Sequence, residues 1–351
     1  MDKRDKMMFT AGSVLLLLTA ALQVTARQSG EFATWYAHHV YPVLVGVIGR
    51  ISGLVSFSVV ELGLYGLAVG GVIYVAVHIR KPWRLCAGTV LLCGGLLFSY
   101  TVNCGINYHA MPFSAYAGIE TGMYSTEELR ELCEYLLEQV NETVEDGADL
   151  HYKDDRAGWK AEGVSAMRRA GSQFACLGGY YPQPKEVAVS QILSVQQLCG
   201  VYAPFTIEAN FNGDMPDYNI PHTICHELSH LKGFMREDEA NFIGYLACIS
   251  SEHPAFRYSG YLTGWVYAGN ALAKADREAY LELRQQLDTR AEQDLMENNA
   301  FWDRYEGRVA EVSNQWNDTY LKMNRQDDGV KSYGRMVDLM LAYNRQNSLK
   351  K

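Results

Sequence analysis

The chain has 351 residues, 48% of them hydrophobic, with a formal net charge of −9. That length suits one large domain or two of ordinary size. The acidic balance, with no basic stripe to offset it, argues against nucleic acid as a partner.

Charged side chains are sparse and apolar runs long before about residue 110, and acids and bases are mixed after it. The pattern predicts a membrane region over 1–108 and a water-soluble domain over 109–351. Met7–Ala26, "MMFTAGSVLLLLTAALQVTA", is uncharged for about the length of a hydrocarbon core. Its basic start resembles a signal peptide, but the run is long for one and further spans follow, so an uncleaved anchor is expected. Further spans are expected at 62–79 and 85–108. Residues 41–60 are apolar but contain Arg50 and several glycines, which suits a segment lying in the interface.

Three spans put Lys3, Arg4 and Lys6 on the same side as Arg80, Lys81 and Arg84. The positive-inside rule then makes both groups cytoplasmic and the C-terminal domain extracytoplasmic. A fourth span would turn the second basic group outward and place Arg50 within the bilayer at real cost.

In the soluble half, Ser125 with Glu128 forms a capping-box pattern. Leu129, Leu132, Leu136, Leu137 and Val140 then repeat at helical spacing to about residue 144. Gly200–Asn212, "GVYAPFTIEANFN", is aromatic and β-branched and reads as one or two strands. "YSGYLTGWVYAGNALA", from Tyr258, is apolar but short and glycine-containing, which fits a buried core helix. Residues 276–316 read as charged helices, followed by a loop around Asp327–Gly329 and a final helix. The eight cysteines form no CxxC pair, which excludes a thiolate zinc ribbon. Cys86 and Cys93 lie in an apolar run; the other six fit either disulfides or unpaired core thiols.

"HELSHLKGFMREDEANF", His226–Phe242, carries the chemistry. His226 and His230 are four residues apart, so a helix puts both imidazoles on one face within reach of one metal. In HExxH enzymes the intervening glutamate, here Glu227, binds no metal and accepts a proton from water that the metal has made acidic. Ile224, Leu228 and Leu231 can anchor the helix. Gly233 can end it and let the chain turn sharply before a new acidic helix begins near Glu237. A third histidine in the HExxHxxGxxH pattern would fall at 236, which is Arg236.

Among the remaining acids, Glu239 is the main rival to Glu237, since positions two apart on a helix face different ways, and Asp238 has the shortest reach. His222 and His230 are about 12 Å apart along a helix, too far to share one ion, so His222 fits a supporting role. Cys225 fits a buried structural thiol.

Glu237–Asn241 reads ExxAN, and with HExxH it resembles the glutamate-ligand, gluzincin-like zinc metallopeptidases. That resemblance implies Glu237 as third zinc ligand and Asn241 as the residue that orients a histidine. It also implies that the strand before the HExxH helix, within Gly200–Asn212, pairs with substrate backbone, although Pro204 suits an edge strand. Together with "YSGYL" and "DGVKSYGRMVDLMLAY", the chain resembles a bacterial family of uncharacterised, membrane-anchored HExxH proteins over most of its length.

The fold expected is mainly α. Three N-terminal transmembrane helices precede an α+β zincin-like metallopeptidase domain with a small sheet and a helical C-terminal part. The activity expected is zinc-dependent hydrolysis of peptide bonds in a peptide or protein substrate, performed beside a lipid bilayer. A non-enzymatic membrane sensor or scaffold with a structural zinc is the alternative, disfavoured because a structural site needs no general base. Tyr333, Tyr320 and Arg335 are candidate donors to the developing oxyanion.

Overall fold

The structure is a computed structural model that describes residues 1–145, 152–324 and 335–348. The protein is mainly helical with one small mixed sheet. It divides into two compact units: Met1–Met111 with Ala203–Glu208, and Pro112–Tyr202 with Ala209–Lys351. The first unit thus extends three residues past the boundary read from sequence. It also takes in Ala203–Glu208, which the sequence reading places inside the soluble half.

In the first unit, α1 spans Lys3–Gln28, α2 Gly30–His39, α3 Tyr41–Ser52, α4 Val59–His78 and α5 Pro82–Tyr100. The last continues through a π turn, Thr101–Gly105, and a 3-10 turn, Asn107–His109. Among the described residues, three helical stretches are long and apolar enough to cross a membrane: Lys3–Gln28, Val59–His78 and Pro82–His109. They mark a membrane protein with an N-terminal anchor. At 12 residues, α3 is too short to span.

The helices α1 and α5 run side by side in the same direction. Arg84 reaches Asp5 at 2.5 Å near both starts, and Gln23 donates to Thr101 at 3.2 Å near both ends. Between these points Gly12 and Gly94 face each other so closely that a Cβ on Gly94 would meet the Gly12 carbonyl oxygen at 2.5 Å. Backbone approach of this kind is how helices associate where lipid offers no hydrophobic drive. The parallel arrangement puts Lys3, Arg4 and Lys6 at the same end as the α4–α5 connection with its own basic residues.

Within the same unit, the backbone N–H groups of Val59 and Val60 donate to the Glu208 carboxylate at 3.1 and 2.9 Å, and the Thr206 hydroxyl donates to it at 2.7 Å. A buried carboxylate is thereby satisfied at the N-terminus of α4, where the helix dipole favours negative charge.

The second unit holds α6 (Phe113–Ala117), α7 (Thr126–Glu145), α8 (Arg156–Gln173), α9 (Gln191–Val195), α10 (Asn219–Leu231), α11 (Glu237–Ile249), α12 (Pro254–Ala275), α13 (Arg277–Arg284), α14 (Thr289–Asp303), α15 (Arg308–Met323) and α16 (Arg335–Ser348). The strands are β1 (Lys185–Glu186), β2 (Gly200–Ala203) and β3 (Glu208–Phe211), in sheet order β1-β3-β2 with β1 parallel to β3. The stretch "GVYAPFTIEANFN" is therefore two strands, with Pro204 in their connection. β2 lies at the sheet edge.

The core centres on α10, packed against α8, α11 and α12. Ile224, Leu228 and Leu231 are fully buried, each worth about 1.5–3 kcal/mol of apolar transfer. The apolar segment from Tyr258 lies within α12, which buries Tyr258, Tyr261, Leu262 and Trp265 as a core helix does. At the start of α7 the Ser125 and Glu128 pair is reciprocal: the Ser125 N–H donates to Glu128 at 2.8 Å and the Glu128 N–H to the Ser125 hydroxyl at 3.2 Å.

Candidate metal centre

His226, Glu227 and His230 all lie on α10, and the i, i+4 spacing puts the two imidazole rings 4.7 Å apart between centroids. The helix ends at Gly233, whose φ of 97° is the left-handed conformation that glycine adopts without penalty. The Phe234 N–H returns to the Ser229 carbonyl at 3.2 Å, a Schellman-type closure. That closure brings the Phe234 carbonyl to His230, whose Nδ1–H donates to it at 2.8 Å.

After this turn α11 opens with Glu237 and comes back alongside α10. A glycine makes the approach possible, since a Cβ on Gly244 would meet His222 Nε2 at 3.1 Å and its carbonyl oxygen at 3.3 Å. Glu237 then stands 3.3 Å from His226 Nε2 and 3.6 Å from His230 Nε2. Among the described residues His226, His230 and Glu237 form a group able to hold a metal ion, with ligand atoms all within 4.8 Å of one another.

Asn241, one turn along α11, serves two histidines. Its side-chain Oδ1 accepts from His226 Nδ1 at 2.9 Å, and its backbone carbonyl accepts from His222 Nε2 at 3.0 Å. Both Nδ1 atoms of the His226–His230 pair are thus committed to oxygen acceptors, which turns both Nε2 atoms towards Glu237. Three electron-pair donors this close need a positive charge among them. A proton can supply it: burial lowers the His226 pKa, but the hydrogen bond and charge of Glu237 outweigh this and raise it. A metal cation satisfies all three donors together, and two imidazoles with one carboxylate are a donor set suited to zinc.

The other acids are occupied differently. Glu239 is buried and accepts from the Ser114 N–H at 3.3 Å, and Asp238 lies 3.8 Å from Arg236 Nε. Cys225 is a buried free thiol. Glu227 is buried beside the ligand group, and its Oε2 has no hydrogen-bond partner among the described residues. Burial pushes its carboxyl up to about 8, against the pull of His226.

Two further residues, Gly200 and Tyr267, are ones that motif reading misses. Gly200 opens β2 directly over Glu227, where a Cβ would meet Glu227 Oε1 at 2.6 Å and the Asn210 carbonyl oxygen at 2.9 Å. Two positions on, Tyr202 faces His230 with ring centroids 6.5 Å apart, while Val201 between them is exposed. This is the alternation a strand imposes. The available signal was a glycine at a strand end, which marks close backbone approach.

The second residue is Tyr267 on α12. The Ser259 hydroxyl accepts the His222 N–H at 3.1 Å, which fixes the stripe of α12 that faces α10. Tyr267 lies two turns along that stripe and is half-buried. Burial raises its phenol pKa, and the charges of Cys199 and Glu237 raise it further. With 23 tyrosines in the chain and no motif around it, sequence offered no way to single it out.

Of the oxyanion donors suggested by sequence, Tyr333 lies outside the described residues. Tyr320 sits on the exposed side of α15. Arg335 opens α16; burial raises the pKa values of Asp238 and Asp338, and the charge of Arg335 partly opposes the rise.

The fold and site together define a membrane-anchored helical protein with a His-His-Glu cluster in its second unit. The family model described as "Protein of unknown function (DUF3810)" matches residues 36–341, and the chain belongs to that family. No curated protein and no solved structure matches it.

Proposed function

We propose that the protein is a membrane-anchored, zinc-dependent metallopeptidase with a zincin-like second unit. The observation that carries this reading is the convergence of His226, His230 and Glu237 beside a general base, Glu227, whose Oε2 is buried and has no hydrogen-bond partner among the described residues. A structural zinc site would need the three donors but not that glutamate.

His226, His230 and Glu237 would hold the zinc, which supplies a Lewis acid that polarises a carbonyl and acidifies water. Glu227 takes the proton from the attacking water and passes it to the leaving amine. Asn241 and the Phe234 carbonyl hold the two rings in register. Tyr267, whose phenol pKa the charge of Glu237 helps to raise, joins Tyr333 as a donor for the developing oxyanion. β2, at the sheet edge above Glu227, pairs with an extended peptide and so favours a peptide or protein substrate. The basic residues gathered at one end of α1 and at the α4–α5 connection support a cytoplasmic N-terminus and an extracytoplasmic second unit.

The test is metal analysis of the purified full chain together with hydrolysis of a peptide library. Near-stoichiometric zinc, lost in His226→Ala and His230→Ala, is expected. Glu227→Gln is expected to keep zinc and to lose about 10²–10⁴-fold in activity. Zinc retained with no difference between Glu227→Gln and wild type would leave the structural-zinc sensor or scaffold instead.

A further inference from the structure

Helix α15 turns its most apolar side away from its own unit. Ala310 and Leu321 are buried, with Ser313 and Asn317 half-buried between them, so the inward line is small and polar for half its length. Val309, Val312, Trp316, Tyr320 and Met323 follow at spacings of three or four, which makes one continuous outward stripe. Trp316 at its centre is 73% exposed and Met323 at its end 67%. A tryptophan this open on a stripe this regular is not what folding of the unit alone requires.

We propose that this stripe lies in the surface of a lipid bilayer, holding the second unit against the membrane. The bilayer is already implied by the same chain, which carries three helices long and apolar enough to cross one. Tryptophan at the centre of an apolar helix face is the side chain enriched at the membrane–water interface. The charges of α15 cancel: Arg308 and Lys322 balance Glu311 and Asp318, and Lys322 pairs with Asp318 at 2.6 Å. The attraction is therefore apolar and acts on a neutral lipid surface as well as on an anionic one. A second copy fits less well. Five side chains are few beside the roughly 20–30 residues per partner of a stable interface. In the bilayer the stripe needs only to reach the acyl boundary, about 5–10 Å deep.

The test uses the full chain in phosphatidylcholine nanodiscs at one copy per disc, beside Trp316→Phe. The difference between their emission spectra is the signal of Trp316. That difference is expected to be blue-shifted and to fall about twofold or more in discs made with lipid brominated high on its acyl chains. A red, water-like difference signal that bromine leaves unchanged overturns the proposal. A blue shift that arises only when two copies share a disc assigns the stripe to a second copy and overturns it equally. Matched circular dichroism of the two proteins shows that the substitution leaves the fold intact.

Discussion

Glu227 has one oxygen within reach of a backbone that leaves it no spare room. Because a Cβ at position 200 would come within 2.6 Å of Glu227 Oε1, Gly200→Ala must push either the carboxylate or β2 aside. The expected result is retained zinc with a fall in turnover of about 10²-fold, the scale of a small displacement of reacting groups. Unchanged turnover in steady-state kinetics would show that Glu227 has slack the structure denies it. Tyr267 leads to a different measurement. Tyr267→Phe removes one hydroxyl whose pKa the charge of Glu237 helps to raise, and leaves Asn241 and both histidines in place. If that hydroxyl stabilises the oxyanion, kcat falls about 10²–10³-fold and KM stays nearly constant. An equal loss in both the variant and wild type on zinc removal, with no loss from the substitution itself, would assign Tyr267 to packing.

At the scale of elements, α7 and α16 are joined through the same residue that caps α7. Arg345 Nε donates to Glu128 at 2.6 Å, while Ser125 and Glu128 exchange their capping bonds. The hydrogen bond from Arg345, then those of Ser125, hold the Glu128 carboxyl down at about 2. A carboxyl whose folded pKa lies below its unfolded value stabilises the fold at pH above the unfolded value and loses that contribution as pH falls towards the folded one. Wild type is therefore expected to melt above Glu128→Gln at neutral pH, with the gap closing between 4.5 and about 2. Thermal melts of both proteins across that range check this, and a gap independent of pH would contradict it. The capping box is a local pattern and was readable from "YSTEE" alone. Arg345 was not, since 217 residues separate it from Glu128.

For the whole molecule, the consequence of the metal reading is thermodynamic. His226 and His230 on α10 and Glu237 on α11 belong to two helices that a shared ion would cross-link. At zinc concentrations about 1,000 times the dissociation constant, binding to the folded state adds about 4 kcal/mol, and this is lost on chelation. The melting temperature of the second unit is then expected to fall by roughly 10 °C with a strong chelator and to recover with zinc. A melting temperature indifferent to both would remove the metal from the account.

Each feature legible in the sequence depends on spacing along one element. The period of the α-helix puts His226 and His230 on one face, and run length separates the three long apolar helices from the twelve residues of α3. Gly233 announced a chain reversal because few other residues tolerate its φ. The ExxAN resemblance implies Glu237, whereas spacing by itself left Glu239 and Asp238 open, and the close approach of α11 to α10 at Gly244 is what brings Glu237 to the histidines. Tertiary structure alone decided that Gly200 rather than a side chain faces Glu227, and that Ala203–Glu208 belongs with the first unit. These contacts join residues far apart in the chain, and such contacts leave no periodic trace in the sequence that makes them.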